Sequence, residues 1–251
     1  MSSIVRRSAG LSLRRCRHHA TLCGSATAFD LSRCRTEIAE RHAREQPDGQ
    51  AREWEDPRSA WHWLDRELSS NLAGETGAVA IYDGAAAGLR VRCMLVGNRA
   101  VDASTLEFIN AHREAEAGHL ALFEALLPEG KRTNLLPIWR ASGFALGFMP
   151  ALISPRALFV TVEAVEAFVE EHYQAQIQPL RDEGLAPELV QLLTRCCEDE
   201  VHHKHDAAKR AAAERRGSAS TTLDSSTVAE RCWATIVRRG SAIAAECARR
   251  V

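Results

Sequence analysis

The chain has 251 residues and a net charge of −1, so its composition gives no electrostatic reason to expect a nucleic-acid partner. The length suits one well-buried domain with extensions, and 45% of the residues are hydrophobic, as in an ordinary globular protein. None of the eight cysteines forms a C-x-x-C pair, which argues against a zinc ribbon. The function must therefore be sought in the core.

The N-terminal segment has the composition of a targeting sequence. Residues 1–29 contain several arginines and serines, no acidic residue, and no apolar run long enough for a secretory signal. This pattern predicts a mitochondrial transit peptide; a plastid peptide should contain more Ser and Thr, and a disordered basic tail is the remaining alternative. Residues 30–60 are charged and show no sustained period, which predicts a linker.

Helical periodicity begins at Trp61 and continues to the C-terminus, so residues 61–251 are predicted to form one all-α domain. Alternation of β-branched residues is almost absent. The breaks are rich in Gly, Pro and polar residues, and the first is Gly88 with the polar Gly97-Asn98-Arg99. They divide the domain into six predicted helices at 61–89, 101–127, 135–152, 155–181, 186–213 and 223–250.

Four glutamates lie on apolar stripes of four different helices, where leucines would be expected. Two of them have a histidine three residues later, and the full set is Glu75, Glu116 with His119, Glu166, and Glu200 with His203. Buried, unpaired carboxylates are costly, whereas exposed glutamates should fall on polar faces. The order of single Glu and Glu-x-x-His predicts a ferritin-like four-helix bundle, with two additional helices, that binds two metal ions.

The metal and its exact ligands are less sharply indicated. Four carboxylates and two neutral imidazoles balance two divalent cations; the chemistry of oxygen activation favours iron, although manganese would also fit. One carboxylate must bridge the metals, and the spacing does not say which. Asp199-x-x-His202 is an alternative ligand pair, which we reject because Glu200 and His203 align with the apolar positions. Asp206 is expected to orient His203.

Residues 135–153 form the most apolar segment, with Arg140 as the only charge. The uncharged stretch after Arg140 has 13 residues before Ser154, short of the ~20 that a membrane span requires. The segment is therefore predicted to be an interfacial helix, with Trp139 at the level of the lipid headgroups, or else a buried core helix.

His172 and Tyr173 follow Glu166 at a distance that suggests a role near the metals. Tyr173 lies seven residues, two helical turns, beyond Glu166, so its phenol should point toward the metal site. His172, the residue before Tyr173, is turned away from that helix face and should lie at the edge of the metal site. The alternative is a packed tyrosine beside a half-exposed histidine.

These motifs together resemble the demethoxyubiquinone hydroxylase family of ubiquinone biosynthesis. The resemblance extends over about residues 66–250. It rests on Leu72–Ala78 (LAGETGA) with Ile81-Tyr82, on Glu116-x-x-His119-Leu120, on Pro137–Trp139 with Gly143–Gly147, on Ala164–Glu166, on Glu171–Tyr173 with Gln176-Ile177, and on Glu200-x-x-His203.

The resemblance implies a diiron monooxygenase bound peripherally to the matrix face of the inner mitochondrial membrane. It implies that Glu75, Glu116, His119, Glu166, Glu200 and His203 bind two iron ions. It further implies that O2 and NADH-derived electrons hydroxylate a prenylated quinone, that His172 and Tyr173 serve electron delivery, and that a lipid-binding partner protein presents the substrate.

Two departures from the family pattern, at Asn71-Leu72 and at Thr76, spare every ligand but concern substrate positioning. One alternative is therefore a divergent relative that acts on another lipid quinone. A second alternative is a non-catalytic or iron-handling ferritin-like, membrane-associated protein of the ubiquinone assembly.

Overall fold

The computed structural model describes residues 29–44, 61–96, 102–217 and 225–251, and all regular structure in these ranges is helical. After a first helix come six more and one short 3-10 turn, Glu129–Lys131. The helices are α1 (Leu31–Arg44), α2 (Trp63–Leu95), α3 (Ala103–Leu126), α4 (Leu136–Ile153), α5 (Pro155–Asp182), α6 (Pro187–Gly217) and α7 (Ser225–Arg250). The all-α fold and the six predicted helices are confirmed.

Helices α2, α3, α5 and α6 form the four-helix bundle. Two large apolar layers fill its core, and the glutamates lie between them; a third, smaller cluster joins Ile81 and Val165 to Val237 on α7. One layer includes Leu68, Phe123 and Leu193; the other includes Phe108 and Phe159. Because both layers are closely packed, the backbone positions that carry the glutamates have little freedom to move.

Helix α1 was not expected, because the sequence predicted a linker over residues 30–60. Within α1, Cys34 and Glu37 are buried. The Glu37 carboxylate accepts hydrogen bonds from the backbone N–H groups of Glu188 (3.2 Å) and Leu189 (3.0 Å), at the start of α6. The apolar stripe of α1 consists of the buried Cys34 and the partly buried Leu31 and Ile38, which is too short to detect from sequence. The predicted transit peptide, up to residue 28, and the predicted linker over 45–60 lie outside the described residues.

Helix α2 continues to Leu95, beyond the break predicted at Gly88, because glycines on α2 form the surface against which α4 packs. A Cβ atom at Gly84 or Gly88 would overlap the backbone carbonyl of Phe144 or Phe148 on α4, and one at Gly147 would overlap the carbonyl oxygen of Ile81. The contact positions advance in the same direction along both helices, so α4 runs parallel to α2.

We expect Gly147→Ala to lower the free energy of unfolding by about 1–3 kcal/mol, because the added methyl group meets backbone that cannot rotate away. Urea denaturation followed by circular dichroism measures the change. Gly118→Ala is the control: nothing lies within 4 Å of its Cβ position, and in a helix this change should raise stability by up to about 1 kcal/mol. Equal effects of the two variants would contradict the proposed close packing.

Candidate metal centre

The structure brings all six predicted ligands together in the middle of the bundle. Helix α2 supplies Glu75, α5 supplies Glu166, and α3 and α6 each supply one Glu-x-x-His pair; all six side chains are buried. Their candidate ligand atoms form two groups, each lying within 4.8 Å of one another: Glu75, Glu116, His119 and Glu200 in one, and Glu116, Glu166, Glu200 and His203 in the other. Glu116 and Glu200 are common to both groups, which makes them the candidates for bridging carboxylates.

Both histidines direct Nδ1 toward the carboxylates. Nδ1 of His119 lies 3.0 Å from Glu200 Oε1, and Nδ1 of His203 lies 3.2 Å from Glu200 Oε2. Glu75 Oε2 and Glu116 Oε1 are buried without a hydrogen bond; the latter is 3.1 Å from His203 Nδ1 but lacks hydrogen-bond geometry. Buried oxygens without donors, beside imidazole nitrogens, fit divalent metal ions.

A second set of polar residues surrounds the histidines, and sequence reasoning missed most of it. Asp199 Oδ2 lies 3.3 Å from His119 Nε2, the arrangement that orients a metal-binding imidazole. His112 stacks on His203 with ring centroids 4.3 Å apart, and its Nε2 lies 3.3 Å from Asp206. Asp206, expected to orient His203, therefore contacts His112 instead. The signal was available, since His112 lies one helical turn before Glu116.

Two buried tyrosine hydroxyls touch the carboxylates. Tyr173 donates a hydrogen bond of 2.6 Å to Glu75 Oε1, so its phenol faces the cluster, in the direction that the spacing predicts. Tyr82 donates to Glu166 Oε1 at 3.5 Å and lies 3.4 Å from His112 Nδ1. Burial, followed by the charges of nearby glutamates, raises the pKa of both phenols well above the usual value. Both are therefore neutral donors at physiological pH.

The crowded carboxylates shift one another's pKa values. Burial, reinforced by the charge of Glu200, raises the pKa of Glu116 to about 8 and that of Glu166 well above its usual range. Burial opposes a charge on His203, but the adjacent carboxylates of Glu116 and Glu200 raise its pKa to about 11. Glu200 is also buried, yet hydrogen bonds from His119 and His203 lower its pKa. The metal-free cluster therefore holds protons at neutral pH.

A cavity of about 460 Å³ adjoins the cluster and is lined by α2, α4, α5 and α7. Glu75, Glu116, Glu166 and Glu200 all contribute to its wall, and most of the remaining lining is apolar. Ile138 on α4 and Ile236 on α7 line it and are 55% and 62% exposed, so the cavity reaches the surface between these helices. Sequence reasoning did not foresee that α7 forms one wall.

His172 is buried in the cavity wall, which differs from the pocket-edge or half-exposed position expected from sequence. Its Nε2 lies 2.7 Å from Ser70 Oγ and 3.0 Å from Gln176 Nε2, and its Nδ1 lies 3.1 Å from a guanidinium nitrogen of Arg249. Burial, together with the charge of Arg249, lowers the pKa of His172 to about 3, so the ring is neutral. No contact with a carboxylate of the cluster is seen for His172.

The bundle and its cluster define a class: ferritin-like proteins that carry Glu and Glu-x-x-His on the facing helices of a four-helix bundle. The family model described as ubiquinone biosynthesis protein COQ7 matches residues 62–243. The chain belongs to this family, which confirms the resemblance found in the sequence.

Several characterised relatives are similar over the same region. The chain is 33% identical over 147 residues to the NADPH-dependent 3-demethoxyubiquinone 3-hydroxylase, mitochondrial, of Dictyostelium discoideum, covering 57% of this chain and 62% of that protein. The human protein of the same description is 32% identical with the same coverage. A 3-demethoxyubiquinol 3-hydroxylase of Rhodospirillum rubrum is 35% identical over 124 residues, or 49% of this chain and 54% of that protein. The chain thus matches less than two thirds of each relative.

Metal binding should release protons, because metals bind the deprotonated ligands and the metal-free cluster is protonated at neutral pH. Glu116 contributes a proton below pH of about 8 and His203 below about 11, so affinity should rise with pH across the neutral range. Calorimetric titration of the metal-free protein with Mn2+ at pH 7, in two buffers of different ionisation enthalpy, counts the protons. A measured heat that is independent of the buffer would contradict this prediction.

Proposed function

We propose that this protein is a diiron monooxygenase that hydroxylates the ring of demethoxyubiquinol in ubiquinone biosynthesis. The observation that carries the proposal is the apolar cavity of about 460 Å³ whose wall contains four carboxylates of the candidate metal centre. A ferritin-like iron store has no need of such a cavity beside its metals. The chain's family and the names of its relatives support the same reaction.

The six clustered residues would hold two iron ions, with Glu116 and Glu200 belonging to both ligand groups, and the bound iron would supply the reductive activation of O2. Hydroxylation places one oxygen atom in the ring and the other in water, so it needs two electrons and two protons. Asp199 orients His119, which leaves its Nδ1 for the metal. The phenol of Tyr173, hydrogen-bonded to Glu75, is the side chain best placed to pass a proton between the cavity and the cluster.

The cavity suits a prenylated quinone because its lining is mainly apolar, including Ile81, Leu146, Val165 and Val237. The electrons come from a reduced nicotinamide nucleotide. The resemblance implies NADH, whereas the names of the eukaryotic relatives above specify NADPH, so both nucleotides belong in the assay. His172 is proposed to act in the cavity wall rather than at the metals.

Helices α4 and α7 are proposed to attach the enzyme to a membrane surface. Within the described residues, α4 is the one helix long and apolar enough to cross a bilayer by length and composition. Its 18 residues exceed the 13 counted from sequence, so length alone does not exclude a span. The packing argues against a membrane span. Because α4 lies along α2, a span by α4 would carry the exposed Asp83 and Arg90 of α2 into the hydrocarbon of the bilayer.

Both α4 and α7 expose large apolar side chains: Ile138, Phe144, Met149 and Ile153 on α4, and Val228, Trp233, Ile236 and Ile243 on α7. Three of them, Ile138, Trp233 and Ile236, also line the cavity. A lipid quinone could enter from the bilayer without crossing water. The eukaryotic relatives named above are called mitochondrial, and we propose the matrix face of the inner membrane as the location, with a lipid-binding protein as partner.

The catalytic proposal predicts that Glu166→Gln lowers metal content to about half and abolishes hydroxylation, because a neutral amide replaces a terminal carboxylate ligand. Purified protein is assayed for iron and for conversion of demethoxyubiquinol with NADH or NADPH. Glu163→Gln, one turn earlier on α5 and outside the cluster, is the matched control and should retain both properties. Normal turnover by Glu166→Gln, or no conversion by the wild-type protein, would refute the proposal.

The membrane proposal predicts that Met149→Glu and Ile236→Glu each weaken binding to liposomes about tenfold or more, because a charge must enter the apolar interface. Flotation assays with the wild type and the variants measure the binding to liposomes. Ala121→Glu, at an exposed position of α3, adds the same charge and should leave flotation unchanged. Flotation of both α4 and α7 variants at the wild-type level would contradict the assignment.

A further inference from the structure

The surface formed by α4 and α7 is basic, although the whole chain carries a net charge of −1. Arg140 is the one charged residue of α4, and α7 contains five arginines and two glutamates. The two helices together therefore have six arginines and two glutamates, a net charge of +4. Because the same helices expose large apolar side chains, the partner of this surface must suit both properties.

Both glutamates of α7 are already paired with arginines. Glu230 accepts hydrogen bonds of 2.6 and 2.7 Å from Arg156 of α5. Glu246 pairs with Arg249 at 3.1 Å and with Arg250 at 2.7 Å. Since guanidinium groups face both carboxylates, neither carboxylate is left to repel an anion that approaches the surface.

Two arginines of this surface, Arg140 and Arg239, are exposed and differ from their neighbours. No hydrogen bond or ion pair joins either side chain to another residue in the part of the chain that the structure describes. Arg238, the residue before Arg239, instead pairs with Glu171 of α5. The guanidinium groups of Arg140 and Arg239 therefore keep all five of their N–H donors for a ligand or for water.

Both of these arginines lie beside exposed apolar side chains. Arg239 follows Ile236 by three residues and precedes Ile243 by four, so the three side chains share one face of α7. The two isoleucines are 62% and 66% exposed. On α4, Arg140 precedes the exposed Phe144 by four residues. The aliphatic stem of an arginine can lie along such apolar groups while its guanidinium reaches the level of lipid headgroups.

The two arginines are also close to the cavity. Arg140 and Arg239 lie within one helical turn of Ile138 and Ile236, and both isoleucines are exposed and line the cavity. A phosphate bound by either arginine would therefore hold a lipid surface near the point at which the cavity opens between α4 and α7.

We propose that α4 and α7 form a recognition surface for anionic phospholipids, in which Arg140 and Arg239 bind headgroup phosphates and the adjacent apolar side chains enter the bilayer. A guanidinium binds phosphate through paired hydrogen bonds, and the net positive charge favours an anionic leaflet. A neutral bilayer would suit the apolar side chains alone, and an acidic protein surface the arginines alone, whereas an anionic bilayer suits both. The inference rests on the proposed attachment to a membrane.

The test measures flotation of the full-length protein with two kinds of vesicle, phosphatidylcholine alone and phosphatidylcholine with about one quarter phosphatidylglycerol. Wild type should bind the anionic vesicles about tenfold or more tightly, and added salt should reduce this preference by screening the charges. Arg140→Gln and Arg239→Gln should each weaken binding to the anionic vesicles about fivefold, the effect of one arginine near an anionic surface. Binding to phosphatidylcholine should stay within about twofold of the wild-type value.

Arg44→Gln is the matched control, because Arg44 is exposed on α1, which packs against α3 and α6, and it has no partner among the described residues. It removes the same charge and should leave binding to both kinds of vesicle unchanged. Every variant keeps the arginines of residues 1–29, so differences between variants report the substituted positions. Circular dichroism checks that helix content is retained.

The outcomes separate this inference from the proposed function. Equal binding of wild type to the two kinds of vesicle would overturn the inference and leave membrane attachment standing. Wild-type binding to the anionic vesicles by the double variant Arg140→Gln/Arg239→Gln would do the same, and would favour an acidic protein as the partner of the two arginines. Failure of wild type to bind either vesicle would refute attachment and inference together. Hydroxylation by wild type in detergent tests the catalytic proposal separately.

Discussion

The main constraint on this structure is the electrostatic repulsion among four carboxylates that are buried in the middle of the helical bundle. Ordinary hydrophobic packing would exclude such groups, and a protein keeps them only when opposite charge lies within bonding distance. Two imidazoles supply donors, but Glu75 and Glu116 still have a buried oxygen without a hydrogen bond. The upward pKa shifts of Glu116 and Glu166 express the same imbalance. The apolar layers on both sides of the cluster must therefore hold the helices together against it, and metal ions would reverse the sign of the interaction.

The surroundings of the cluster are asymmetric, and this asymmetry makes a monooxygenase plausible where a metal store is not. On one side, Asp199, His112, Asp206 and Tyr82 form polar contacts that orient ligands. On the other side, the apolar cavity reaches the surface between α4 and α7. A reactive centre for an apolar substrate needs this combination, because the polar side holds the ligands in place while the apolar side admits the ring and excludes water.

The sequence predicted the bundle, the six clustered side chains and the orientation of Tyr173, because all three follow from helical period alone. It could not predict features that arise between helices. Gly88 was interpreted as a break since glycine weakens isolated helices, but here a neighbouring helix requires its small size. His112 shares a helix face with Glu116, but its stacking on His203 arises between helices, and Arg249 meets Glu67 182 residues away. The linker prediction failed over α1, whose buried contacts are few and depend on α6.

The glycine contacts also explain how an apolar helix can pack on the bundle and still expose the apolar surface that the proposed membrane attachment requires. Helix α4 approaches α2 so closely that backbone touches backbone, which lets the small residues of α4 satisfy the packing. Its large side chains, among them Ile138, Met149 and Ile153, are then not needed for the core and remain exposed. On an ordinary surface helix those side chains would face inward. Their outward position is thus a consequence of the glycines, and because Ile138 also lines the cavity, the same packing arrangement forms the apolar surface and part of the cavity wall.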